Sequence, residues 1–127
     1  MTKLTRREQR EEVIKRLYEI DINNENISFL SEYDFVNETV QGVLDHIEKI
    51  DEIISNNLIN WKINRLSYVD RAIIRFATYE LFYTETAHEI AINEALNLTR
   101  KFSDEGDNKM VGFTNKVLDN IKKYLNK

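Results

Sequence analysis

An all-α fold of five to seven helices is what this sequence of 127 residues predicts, and three observations point to it. Proline is absent where average usage would place about six, and glycine occurs only at positions 42, 106 and 112. Both residues serve mainly to punctuate turns and strands, so their scarcity suits long helices. No stretch alternates apolar and polar residues strictly enough to argue for a strand. Apolar residues instead recur at spacings of three and four along most of the chain.

The elements follow in order. Thr5 and Glu8 match a capping box and start the first helix near Arg6; Val13, Ile14, Leu17 and Tyr18 form its apolar stripe. Tyr33, Val36, Val40, Val43, Leu44, Ile47, Ile50 and Ile54 predict one long helix or two short ones over residues 32–58. The segment LSYVDRAIIRFATYELFY is apolar nearly all round and reads as the central buried helix. Ile92, Ala95, Leu96, Thr99 and Phe102 mark the next helix, and Phe113, Val117, Leu118, Ile121 and Leu125 the last. Joints are expected at Asn23–Asn26, Asn56–Asn64 and Ser103–Gly112, all rich in Asn, Asp, Ser or Gly. A single domain over residues 1–127 suits this length.

Composition excludes several functions. There is no cysteine, so disulfides, thiolate metal sites and thiol redox chemistry are ruled out. The N-terminus has charge but no apolar core, and no apolar run approaches the ~18 residues of a membrane span. A cytoplasmic protein without a membrane role is expected. No phosphate-binding or dinucleotide glycine motif occurs, and His46 and His88 lie in no metal-ligand pattern, so neither cofactor nor metal is expected. Glu80 reads as a paired or edge carboxylate with no catalytic partner. Trp61 reads as an anchor of the helix junction, and Asn93 and Glu94 as helix-to-helix or capping groups.

Charge is unevenly spread. Residues 3–16 hold six basic and three acidic side chains, and residues 100–127 hold seven and four. Residues 17–99 hold five basic and fifteen acidic, so two basic ends flank a very acidic body. On a helical wheel Arg6, Arg7 and Arg10 share the sector of Val13, Ile14 and Leu17. They are expected to prolong the core-facing stripe beyond the end of the core. Cations in a first turn oppose the helix dipole, at about 0.3–1 kcal/mol each, yet the free amides there favour an anion. Arginines in that place suit a phosphate backbone; the alternative is a solvated run, or local pairing with Glu11 and Glu12. If the termini meet, they form one basic face for a polyanion, and the acidic body would attract a basic partner.

Three stretches, WKINRLSYVDRAIIRFATYEL, INEALNLTRKFS and GFTNKVLDNI, carry a family likeness. Their order and spacing, with an arginine-rich first helix ending in Leu17-Tyr18, resemble the transcription antitermination factor NusB family over nearly the whole chain. Three departures stand out. Lys116 replaces a usual glycine, the Ser103–Gly112 loop is about three residues longer, and Ala87-His88 lies where a proline is common.

The resemblance implies a compact bundle of about six to seven helices in two packed halves and no catalytic activity. It implies binding of boxA RNA in ribosomal RNA transcripts together with the ribosomal protein NusE, promoting read-through by RNA polymerase within the elongation complex. Both monomers and homodimers suit the family. Carried over by residue, Lys3, Arg6, Arg7 and Arg10 match the arginine-rich RNA contact. Lys101, Lys109, Phe113 and Asn115 match a second RNA-facing region, where Phe113 either stacks a base or packs in the core. Asp107 lies in that loop too, but the length change blurs its alignment. Tyr18 and Asp70 match positions turned toward the protein partner. Two rival readings are an RNA-binding accessory domain of a ribosomal RNA methyltransferase and a helical protein-interaction module. The first needs a longer gene, and the second needs indifference to boxA RNA.

Overall fold

The computed structural model describes residues 3–24 and 30–126. Six α-helices are found there: α1 (Arg6–Asn23), α2 (Asp34–Asp45), α3 (Ile47–Asn56), α4 (Tyr68–Tyr83), α5 (His88–Phe102) and α6 (Lys109–Leu125). A single 3-10 turn, Ile63–Arg65, precedes α4. No strand occurs among the described residues. Asn26, part of an expected joint, lies outside them.

Two helix starts, those of α1 and α4, have a local cause in a side-chain cap. Thr5 caps α1 with both halves of the capping box formed, Glu8 N–H donating to Thr5 Oγ1 at 3.1 Å and Thr5 N–H to Glu8 Oε1 at 2.9 Å. The Thr5 backbone N–H first, and the Thr5 side chain second, hold the Glu8 carboxyl below its ordinary pKa. Asn24 ends α1 in the left-handed conformation, which asparagine tolerates. The 32–58 stripe divides at His46, whose N–H turns to the Gly42 and Val43 carbonyls. Ser67 caps α4 through the Asp70 N–H. The last joint is shorter than expected, because α6 begins at Lys109 and takes in Gly112. Asp104 accepts from the Gly106 and Asn108 N–H groups and folds that loop back on itself.

α4 is the axis of the molecule and packs against all five other helices. Around it α1 packs on α2 and α5 on α6, while α3 touches both α2 and α6. Ile73, Ile74, Phe76, Ala77 and Leu81 of α4 are buried among Val13, Val36, Val43, Ile54, Leu98, Leu118 and Ile121. Gly42 is required where α2 approaches α4, since a Cβ there would overlap the Tyr79 ring. Around the core, Arg71 and Arg75 of α4 bind Asp21 of α1 at 2.8 and 3.3 Å. Arg75 also binds Asp51 of α3 at 2.8 Å.

Candidate RNA-binding face

Arg6, Arg7 and Arg10 leave α1 toward three different environments. The Arg6 guanidinium lies 3.9 Å from the centre of the Phe35 ring of α2, with the side chain otherwise exposed. Arg7 reaches α5, where Nε and Nη2 each donate to one Glu94 oxygen at 3.3 Å. Arg10 turns inward. Its Nη2 donates to Glu80 Oε2 at 2.9 Å and its Nε to Oε1 at 3.3 Å, and Glu80 also accepts from Thr86 Oγ1.

The expectation that all three arginines lie beyond the core is therefore corrected for Arg10, which is only 6% exposed. The stripe does continue into the arginines, but the core continues with it for one turn. Glu80 is a paired carboxylate, and its partner is the arginine that the wheel placed above Ile14.

Local pairing with Glu11 and Glu12 does not occupy these arginines. Glu12 pairs with Arg16, and Glu11 accepts the Lys101 ammonium on both oxygens at 2.9 Å. α1 and α5 are thus laced by two ion pairs, Arg7–Glu94 and Lys101–Glu11. The first turns of α1 and the later part of α5 meet on one seam, which carries Arg7 and Lys101, while Arg6 turns to Phe35 of α2. Lys3 is exposed just ahead of it.

The other expected RNA contacts sit on or beside α6. Lys109 is exposed, 4.0 Å from Asp107, and Asn115 is exposed. Phe113 is half-buried and meets Trp61 edge-on at 6.1 Å. Together with Arg65, Leu66, Ser67, Asp70 and Met110 they line a cleft of about 120 Å³. Trp61 itself is 53% exposed, so it is a wall of this cleft more than a buried anchor.

Tyr18 is partly exposed and meets Tyr68 edge-on at 6.2 Å, with Ile22 and Tyr68 exposed beside it. Asp70 differs from expectation. It is 5% exposed, accepting from Ser67 Oγ at 2.7 Å and Ser103 Oγ at 2.6 Å, so it ties the start of α4 to the end of α5. Among the described residues no group of three or more His, Asp or Glu is placed to hold a metal, and no helix is long and apolar enough to cross a membrane.

The NusB family model matches residues 2–123. The chain belongs to the NusB family. The transcription antitermination protein NusB of Bacillus subtilis is 40% identical, over 94% of this chain and 95% of its own. The structure of Thermotoga maritima NusB superposes with a TM-score of 0.83 at 32% identity, covering 96% of this chain and 93% of its own. A NusB solved with NusE and double-stranded RNA superposes at 0.80 with 28% identity, over 94% of this chain and 96% of its own.

Ala87, in the neighbourhood of the missing proline, has φ −57°, close to the value a proline would impose. Lys116 is exposed on α6 and adds a cation where the NusB pattern has glycine. Sequence reasoning missed Phe35, Glu11 and Tyr68 as parts of these surfaces. Glu94 had a signal, since its box reads as helix-to-helix bonding, but its partner on α1 had none.

Proposed function

We propose that this NusB-family chain works as one domain, as a transcription antitermination factor that holds boxA RNA of ribosomal RNA transcripts jointly with NusE, so that RNA polymerase reads through terminators. The observation that supports this reading is the α1–α5 seam, where Arg7 and Lys101 come together from distant parts of the sequence, with Arg6 exposed next to Arg7 on α1. Phosphates would lie across it, held by Arg6, Arg7, Lys101 and Lys3, and such contacts set register without reading sequence. The Trp61–Phe113 cleft, with Lys109 and Asn115 on the same helix as Phe113, supplies aromatic faces for an unpaired base.

NusE would dock on the patch of Tyr18, Ile22 and Tyr68, beside the acidic body that suits a basic protein. Asp70 acts from beneath by holding α4 against α5. The role is binding in the cytoplasm within the elongation complex, with no catalytic step; a homodimer remains part of the proposal only as an alternative to the NusE heterodimer.

Filter binding of boxA RNA and a scrambled RNA, with and without NusE, tests this reading. Arg7→Ala with Lys101→Ala is expected to weaken both RNAs about tenfold or more at low salt, and NusE to tighten boxA alone. Equal binding of both RNAs in the presence of NusE would contradict it.

A further inference from the structure

Two cations of the α1–α5 seam already hold a carboxylate, and the members of each pair are unequally placed. Side-chain exposure is 63% for Arg7 and 59% for Lys101, against 16% for Glu94 and 17% for Glu11. The carboxylates are held in the seam while the cations reach over them from solvent. Arg7 presents to Glu94 the same two-pronged N–H edge that it would offer a phosphate. Lys101 likewise spends its ammonium on both oxygens of Glu11. An arriving phosphate therefore meets cations that are already neutralised, and it must displace anions that stay beside it afterwards.

We propose that Glu94 and Glu11 are built-in competitors of RNA phosphate, specificity-determining residues that hold down the phosphate-only affinity of this face. The inference rests on the RNA-binding reading of the seam. Phosphate contacts carry no sequence information, so lowering their contribution leaves base contacts to decide which RNA stays bound. An RNA that offers only its backbone is kept off. Arg6 is arranged differently, with the Phe35 ring beneath it and no acid paired to it among the described residues. It stays available for first encounter. Arg10 and Glu80 take no part, their side chains being 8% and 4% exposed.

Glu94→Gln and Glu11→Gln, singly and together in the full chain, test the proposal by filter binding. The probes are a single-stranded RNA carrying boxA and a scrambled RNA of equal length, each over a range of salt. Each substitution is expected to tighten both RNAs about two- to fivefold, the range of one exposed ion pair. Each should also steepen the fall of log K with log salt by about 0.7, because one more net positive charge meets the RNA. Weaker binding would show that the carboxylates orient the cations for RNA, and would overturn the proposal. Unchanged affinity and slope would overturn it as well, as would a gain confined to boxA, since a phosphate competitor is blind to sequence. Either single variant carries the test if the double variant loses helicity by circular dichroism. Arg7→Ala and Lys101→Ala run in parallel separate the two readings. If they leave RNA binding untouched, the RNA role of the seam fails; if they weaken it while the glutamines do not tighten it, only the competitor role fails.

Discussion

Arg10 stands apart from its neighbours because its guanidinium is buried against Glu80 with both N–H bonds made. Removing one member of such a pair leaves the other charge buried and uncompensated, at about 3–5 kcal/mol. Arg10→Ala is therefore expected to lower the unfolding free energy by about that amount in urea titration. A loss below about 1 kcal/mol, as for an exposed pair, would show Arg10 to be a surface residue after all. A helical wheel gave the direction of Arg10 correctly, because direction follows from spacing. Depth does not follow from spacing. Whether an arginine on the apolar stripe lies past the core or inside it depends on an acid seventy positions away. Asp70 repeats the lesson: its place in the motif was visible, whereas Ser103, which donates to it, lies just past the end of α5 and far along the chain.

At the scale of elements, four helical stripes were legible because each keeps an apolar face against α4, and α4 itself because it is apolar nearly all round. The Thr5–Glu8 capping box was legible in full, being a local arrangement. The division between α2 and α3 is not legible in the sequence because the apolar spacing runs through it unbroken. What divides the helices is tertiary. Gly42 lets Tyr79 press against α2, and the His46 ring stacks on Tyr83 of α4 at 3.9 Å. The start of α5 offers a direct check of local geometry. Ala87 already has φ −57° and ψ 138°, and it precedes the first helical residue. Ala87→Pro should raise the urea midpoint, adding about 0.4–1 kcal/mol by restricting the unfolded chain. A lower midpoint would show that Thr86 cannot take the extended conformation a following proline demands.

At the scale of the whole molecule, the distribution of charge decides what each side of the protein can meet. Of the second basic end, Lys101 meets α1 beside Arg7, and the acidic body carries the Tyr18, Ile22 and Tyr68 patch. The two basic ends were legible in the sequence as a charge map. That several of their cations are pinned by carboxylates was not, since Glu11 and Glu94 find their partners across the fold. The central claim, that the seam binds RNA through its cations, is tested most directly by the salt dependence of binding. Log K for a single-stranded boxA RNA should be measured against log salt for the wild type and for the Arg6→Ala, Arg7→Ala, Lys101→Ala triple variant. Loss of three cations, at roughly 0.7 per phosphate contact, predicts a slope flatter by about two. A slope that does not change would contradict the account and leave the seam as an ordinary helix contact.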